Sequence, residues 1–297
     1  MTKPLEGVYV ALTTPFAGDR IAPDKLRENV GRLNSTAVAG FLVLGSTGES
    51  VSLTDAESLA LVEAVLDAAA PDKKVLVGTA REWTKGTIDF TAGLPARGVA
   101  AVLVRPPSYF RAKMTREALR AHYLAVADAS PLPVVIYNMP ALTGLSLEPG
   151  LVVDLAGHPN IIGLKESSGS IGYLEEVVRR VPGDFHYFVG SGHVVFPGLE
   201  MGASGAILAV ANAAPELAAE IFRQYKTGHK DRARELQLDL VPLNKALTET
   251  YGIAGLKHAQ DLRGFWGGPP RPPLLPVDDA ASAEIAAILR RLGLLTS

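Results

Sequence analysis

Lys165 ends a short apolar run, Ile161-Ile162-Gly163-Leu164, and polar and glycine residues follow it at once in Glu166-Ser167-Ser168-Gly169. A run this short and β-rich reads as a buried parallel strand with the lysine at its C-terminal end. A lysine there is costly unless it is paired or used. Partly desolvated at the end of a barrel strand, it can lose its charge and attack a carbonyl. The competing reading is a lysine whose stem lies along the strand while its ammonium reaches water. A second stretch, Gly45-Ser46-Thr47-Gly48-Glu49, places two glycines around two hydroxyl residues. That pattern allows a tight turn whose backbone N–H groups point at an anion, and the carboxylate of a keto acid would suit it. It lacks the Gly-Lys-Ser/Thr of a nucleotide phosphate loop. The plainer alternative is an ordinary turn leading to the helix cap at Thr54. Tyr137, in Tyr137-Asn138-Met139-Pro140, closes another apolar run. Its hydroxyl can pass protons if it reaches a cavity, although a strand tyrosine also serves simply as packing. Gly190-Ser191-Gly192-His193 is a run of small residues that leaves room for a substrate. His193 reads as a base or, more simply, as a polar rim residue.

Eight β-rich runs carry these groups: Val8–Leu12, Gly40–Leu44, Val75–Thr79, Ala101–Val104, Val134–Tyr137, Ile161–Lys165, Tyr187–Val189 and Ala206–Ala209. Continuous apolar strands of this kind are covered on both faces. Helical stripes lie between them: Leu26, Val30 and Leu33; Leu59, Val62, Val65 and Leu66; Leu119, His122, Tyr123 and Val126; Leu174, Val177 and Val178. The second stripe follows a capping box, Thr54-Asp55-Ala56-Glu57. The alternation predicts a (β/α)8 barrel over residues 1–215. The rival, an open doubly wound sheet, calls for a Gly-x-Gly-x-x-Gly after an early strand, and none is present. In a barrel consecutive strands are neighbours, so Tyr137 and Lys165 should face one cavity. From Pro215 onward no strand pattern returns. Residues 216–297 are expected to form a C-terminal helical region, with helices from Pro215, from about Lys230 to Thr250, from Gly255 to about Leu262 and from Ala280 to Leu292. Gly264–Pro276, rich in glycine and proline, is expected as an ordered loop.

The chain has 297 residues and a net charge of −2, which argues against a nucleic-acid or anionic-membrane partner. The absence of cysteine excludes disulfides, thiolate catalysis and cysteine zinc sites. The N-terminus shows no long apolar segment of a signal peptide, and no run approaches the ~18 apolar residues of a membrane span, so a cytoplasmic protein is expected. The six histidines are scattered, which weighs against a metal centre built on clustered ligands at the strand ends. A barrel that binds a keto acid without turning it over is the remaining rival, and the joint presence of Lys165 and Tyr137 weighs against it.

Taken together and in order, Thr13-Thr14-Pro15-Phe16, Gly45–Glu49, Tyr137-Asn138-x-Pro140, Gly163-Leu164-Lys165-Glu166 and Gly202-Ala203-Ser204-Gly205-Ala206-Ile207 resemble the pyruvate-dependent class I aldolase superfamily of dihydrodipicolinate synthase and N-acetylneuraminate lyase. The resemblance runs over nearly the whole chain. It implies a (β/α)8 barrel with C-terminal helices, usually a homotetramer built as a dimer of dimers, and no cofactor. It also implies that Lys165 forms a Schiff base with pyruvate, that Tyr137 shuttles protons and that Ser46 relays them. Ser46 and Thr47 would hold the pyruvate carboxylate, and the Ile207 carbonyl would line the site. Tyr109, in Pro106-Pro107-Ser108-Tyr109, matches a tyrosine that in this family reaches a neighbouring subunit's site.

Departures from the family pattern bear on the second substrate. Dihydrodipicolinate synthases usually carry an arginine two residues after the Tyr-Asn-x-Pro proline, to bind the carboxylate of aspartate semialdehyde; here that position is Leu142, which cannot make such a contact. N-acetylneuraminate lyase places acidic residues after the seventh strand, where this chain has Ser191, Gly192 and His193. The sequence is most similar to 4-hydroxy-2-oxoglutarate aldolases. It shares with them Tyr109-Phe110-Arg111-x-Lys113-Met114, Ser130-Pro131-x-Pro133-Val134-Val135, the small Gly190–Gly192 loop and Gly252-Ile253-x-Gly255-Leu256-Lys257. Ser167 matches a serine near their substrate. The expected reaction is cleavage of 4-hydroxy-2-oxoglutarate to pyruvate and glyoxylate, with the iminium on Lys165 as electron sink and no metal needed. Condensation of pyruvate with aspartate semialdehyde, or cleavage of N-acetylneuraminate or a 2-keto-3-deoxy sugar acid, is the alternative.

Overall fold

The computed structural model describes residues 5–95 and 97–295. Eight parallel strands form the frame: β1 Gly7–Ala11, β2 Gly40–Val43, β3 Lys74–Gly78, β4 Val99–Val104, β5 Val134–Asn138, β6 Ile161–Glu166, β7 His186–Val189 and β8 Gly205–Leu208. Each pairs with the strands next to it in sequence, and β8 pairs with β1, so the sheet closes into a barrel. All eight expected strands are present, with ends shifted by one or two residues. The outer ring is α1 Pro23–Leu33, α2 Asp55–Ala68, α3 Thr84–Ala92, α4 Arg116–Ala129, α5 Pro149–Leu155, α6 Ile171–Val178 and α7 Val195–Glu200. Then follow α8 Pro215–Lys226, α9 Lys230–Asn244, a wider π-type turn over Lys245–Thr250, α10 Gly252–Leu262 and α11 Asp279–Arg291. Among the described residues no helix is long and apolar enough to cross a membrane.

Strand parity sorts the core into two shells, because successive side chains on a strand point to opposite faces. Tyr9, Leu42, Leu76, Leu103, Val135, Tyr137, Phe188 and Ile207 fill the barrel interior. Their neighbours Val10, Phe41, Val77, Val104, Ile136 and Leu164 point outward against the helices. The run of apolar residues along each strand therefore has two destinations. The helical stripes follow the expected periodicity: Leu26, Val30 and Leu33 of α1, and Leu119, His122, Tyr123 and Val126 of α4, are buried. On α2 the buried face is centred on Leu61, Val62 and Val65, and Leu59 and Leu66 flank it half-buried. The capping box is formed as expected, with Thr54 Oγ1 accepting from Glu57 N and the Glu57 carboxylate accepting from Thr54 N.

Barrel closure depends on glycine. A Cβ at Gly205 would lie 1.9 Å from the Gly7 carbonyl oxygen across the β8–β1 seam. A Cβ at Gly40 would lie 1.9 Å from the Lys74 carbonyl oxygen across β2–β3.

Candidate active site

Lys165 and Tyr137 occupy directly paired positions on β6 and β5. Both are inward members of their strands and both sit at the C-terminal mouth, the end at which barrel chemistry is found. The Lys165 Nζ lies 4.3 Å from the centre of the Tyr137 ring. Lys165 is 4% exposed. The turn after β2 brings Ser46 over this pair, with Ser46 Oγ 3.5 Å from the Tyr137 hydroxyl.

These groups open into one cavity of about 690 Å³. Six of the expected site residues, Lys165, Tyr137, Ser46, Thr47, Ser167 and Gly190, line it together. Gly190 sits in a close approach of two loops: a Cβ there would fall 1.8 Å from Ser167 Oγ, 2.9 Å from Ser167 Cβ and 3.0 Å from the Glu166 carbonyl oxygen. Its N–H donates to the Glu166 carbonyl at 2.6 Å, which ties the β7 loop to the end of β6. Behind the lysine, Glu166 points outward into the shell between barrel and helices. It accepts from Ser168 N at 2.6 Å and Asn138 Nδ2 at 3.3 Å, and burial pushes its carboxyl above the usual range. Asn138 in turn accepts from Leu147 N at 3.0 Å, so the ends of β5 and β6 are cross-linked directly outside the reactive pair.

Ile207, expected by its backbone carbonyl, and Tyr109, expected at a neighbouring subunit's site, are not on the wall of this cavity. Ile207 is buried in the barrel interior, and at this strand end it is Ala209 that reaches the cavity wall. Tyr109 is 81% exposed and packs edge-on against Phe110 at 5.1 Å. With Val51 and Trp83 it borders a separate groove of about 430 Å³. A space of about 20 Å³, enough for one water, lies between the two regions. It shares Ser46 and Tyr137 with the cavity, and Ser50, Ala80 and Arg105 with the groove. The loop carrying Tyr109 is fixed from below. Glu82 accepts from the N–H groups of Ser108 and Tyr109 at 2.8 and 2.9 Å and pairs with Arg105 at 2.6 Å. The two backbone hydrogen bonds and Arg105 outweigh desolvation and hold the Glu82 carboxyl below its ordinary range.

The Gly45–Glu49 stretch is more closed than a simple anion nest. Residues Ser46–Gly48 form a single 3₁₀ turn, and the N–H groups of Gly48 and Glu49 are spent on Gly45 O and Ser46 O at 3.1 and 3.0 Å. The side chains of Ser46 and Thr47 face the cavity.

The far wall comes from the C-terminal helices, a contribution the sequence reading missed. Asn244, Thr248, Glu249 and Tyr251 line the cavity opposite Lys165. Glu249 Oε1 lies 3.0 Å from His193 Nδ1, with Asn244 Nδ2 3.3 Å from the same nitrogen. Asn244 also accepts from Gly192 N at 3.2 Å, and Gln237 accepts from Phe196 N and donates to Gly192 O. Nothing in the local pattern of Asn244 or Glu249 marks them, because their partners are some 50 residues away in sequence (|i−j| = 52 for Asn244 and Gly192). Lys165 is the only lysine or arginine on the cavity wall among the described residues. Leu142 stands at the mouth, exposed.

Comparisons with known proteins agree with this geometry. The chain is 37% identical over 295 residues to the 4-hydroxy-tetrahydrodipicolinate synthase of Methanopyrus kandleri, covering 98% of this chain and 97% of that one. It is 35% identical over 299 residues to the L-threo-3-deoxy-hexylosonate aldolase of Hypocrea jecorina, covering 96% and 95%. In structure it resembles YagE, a prophage protein of the dihydrodipicolinic acid synthase family from E. coli K12 solved in complex with pyruvate. The TM-score is 0.92 and the identity 28%, covering 98% of this chain and 99% of that one. The pattern of the Dihydrodipicolinate synthetase family matches residues 4–292, and the chain belongs to that family.

Proposed function

We propose that the protein makes or breaks a carbon–carbon bond next to the carbonyl of pyruvate, through a Schiff base on Lys165. The observation that carries this reading is the pairing of a 4%-exposed lysine with Tyr137 and Ser46 at the mouth of the barrel. The Lys165 amine adds to the C2 ketone, and loss of water leaves an iminium that draws electrons from C3. In the condensing direction a C3 proton leaves, and the resulting enamine carbon attacks an aldehyde. In the cleaving direction Tyr137 takes the proton of the C4 hydroxyl, the C3–C4 bond breaks, the aldehyde leaves and the bonding pair forms an enamine; protonation at C3 restores the iminium, and its hydrolysis releases pyruvate and the free Lys165 amine. Ser46 and Thr47 hold the carboxylate, and Ser46 also relays protons from Tyr137.

For the second substrate, the relatives support condensation with aspartate semialdehyde, as in 4-hydroxy-tetrahydrodipicolinate synthases, ahead of the 4-hydroxy-2-oxoglutarate cleavage expected from sequence. A specific feature of the cavity favours a second reading. Its far wall carries the His193–Glu249 pair, Asn244 and Thr248, and apart from Lys165, the residue that carries the imine, no lysine or arginine lines the cavity among the described residues. Such a wall suits the hydroxyl groups of a 2-keto-3-deoxy sugar acid better than a second carboxylate, and the H. jecorina relative is named for that chemistry. We also propose that the protein works as a homo-oligomer whose copies meet at the Tyr109 groove.

The test has two steps. Borohydride with pyruvate should add a reduced pyruvyl group to Lys165 in the wild type and none in Lys165→Ala, read by peptide mass spectrometry. Turnover should likewise vanish in Lys165→Ala. Trapping at another lysine, or substantial activity in that variant, refutes the imine. A panel of aspartate semialdehyde with pyruvate, 2-keto-3-deoxyhexonates and 4-hydroxy-2-oxoglutarate, compared by kcat/KM, then decides the partner.

A further inference from the structure

Glu49, the last residue of the Ser46–Glu49 turn, is held by the far end of the chain. Its backbone is left-handed at φ 53°, ψ 33°, a conformation a glutamate adopts only where its surroundings enforce it. Its Oε1 lies 2.6 Å from Lys257 Nζ of α10, and the two side chains are 1% and 0% exposed. Its Oε2 accepts from the Arg271 N–H at 2.8 Å. Lys257 Nζ donates onward to the Pro269 carbonyl at 2.9 Å and sits over the Phe16 ring at 4.5 Å. The Arg271 guanidinium also lies over the Phe16 ring, 4.6 Å from its centre, and pairs with Glu57 at 2.6 Å. Thr14 Oγ1 donates to the Gly48 carbonyl at 2.6 Å. The turn that faces the cavity is thus gripped at its exit by β1's loop, by α10 and by the Pro-rich loop at Arg271.

A fully buried ion pair is a poor device for stability alone, since two apolar residues of similar volume commonly hold a fold as well. It does fix direction and distance. Ser46 and Thr47 stand three and two residues before Glu49, and the N–H of Glu49 closes their turn on Ser46 O at 3.0 Å. We propose that the buried Lys257–Glu49 pair is a positioning device that holds Ser46 and Thr47 at the keto-acid carboxylate, so that α10 sets the enzyme's affinity for its first substrate. This rests on the reading of Ser46 and Thr47 as the carboxylate contacts of a Lys165 imine.

The test measures borohydride trapping on Lys165 across a range of pyruvate concentrations, together with thermal unfolding. The variants are Lys257→Met and the double variant Lys257→Met with Glu49→Gln. The double variant leaves no unpaired buried charge and keeps an acceptor for Arg271 N. Leu289→Ala, a core truncation in α11, serves as a stability control. The expected result is a rise of about tenfold or more in half-saturating pyruvate, with trapping still complete at saturation, in the double variant and not in the control. Half-saturation within about twofold of wild type in the folded double variant overturns the proposal. A double variant that fails to fold assigns the pair to stability and overturns it equally. Absence of trapping on wild-type Lys165 removes the imine reading itself, a different outcome from normal wild-type trapping with an unmoved variant.

Discussion

Tyr137 offers its hydroxyl to Ser46 and its ring to Lys165. The Lys165 Nζ lies over the tyrosine ring, 4.3 Å from the centre, and the tyrosine hydroxyl approaches Ser46 Oγ at 3.5 Å. Tyr137→Phe keeps the ring and loses the relay. It should lower kcat by about 10²–10⁴-fold while pyruvate is still trapped on Lys165 by borohydride. Equal loss of trapping and turnover would show that the hydroxyl is needed to form the imine itself. A second residue-scale effect belongs to His122 on α4. It is buried beside Tyr123, its Nδ1 is 3.0 Å from Thr84 Oγ1, and burial lowers its pKa from 6.5 to about 4. The folded protein therefore resists protonation that the unfolded chain accepts. His122's contribution is complete above pH 6.5 and is lost as pH falls toward about 4. The upper bound is about 3 kcal/mol. Urea unfolding at neutral pH and near pH 4.5 should show a drop that His122→Gln reduces; an equal drop in both proteins would place the acid sensitivity elsewhere.

At the scale of elements, the glycines at the barrel seams are the points of least tolerance. Gly205→Ala puts a methyl group within 1.9 Å of the Gly7 carbonyl oxygen, an atom that belongs to the backbone and cannot rotate away. We expect a loss of about 2–3 kcal/mol or more by urea unfolding. Gly18→Ala, in the tight turn between the short antiparallel strands Phe16–Ala17 and Arg20–Ile21, meets no atom within 4 Å of the added Cβ but has φ 61°, and should cost only the local strain of about 1 kcal/mol. The same elements explain what could be read before the structure was known. Strand identity and the Tyr137–Lys165 pairing were legible because both depend on local apolar runs and on neighbours in chain order. Helix faces were legible where the stripe was regular, as on α1 and α4. On α2 the apolar residues spread more widely: Leu59 and Leu66 share helical spacing with Val62 and Val65 but flank the buried face, which Leu61 completes. Glu249, Asn244 and Lys257 were illegible as site or support residues. Their partners lie on loops of the barrel, and no periodicity links residue 257 to residue 49. The backbone nest expected at Gly45–Glu49 was half right: the turn exists, but its own hydrogen bonds consume the last two N–H groups.

For the molecule as a whole, the groove beside the site is the face at which the proposed contact between copies would fall. Val51, Trp83, Tyr109 and Phe110 are between 61% and 81% exposed and lie on the same side as the water-sized space leading to Ser46 and Tyr137. Four large apolar side chains in one neighbourhood are more than scattered surface hydrophobes, and a chain with a net charge of only −2 does little to oppose self-association. Rigid fixing of the Tyr109 backbone by Glu82 adds a second argument, because a tyrosine with a solvent-facing ring gains nothing from an ordered loop unless it has somewhere to go. A second copy seated on this face would cover the patch and close the water-sized space. Sedimentation of the wild type at micromolar concentration should then show a species larger than one chain. Trp83→Glu, a substitution on the surface and away from the barrel core, should shift it toward smaller species with little change in thermal unfolding, and turnover should become dependent on protein concentration. Tyr109→Phe should leave the assembly intact and lower kcat by about tenfold or more if its hydroxyl completes the proton relay. If Trp83→Glu changes neither sedimentation nor turnover, this face is not an interface and the cavity of a single copy suffices. If assembly is lost while turnover per chain stays constant on dilution, the copies associate here but Tyr109 takes no part in a neighbour's chemistry.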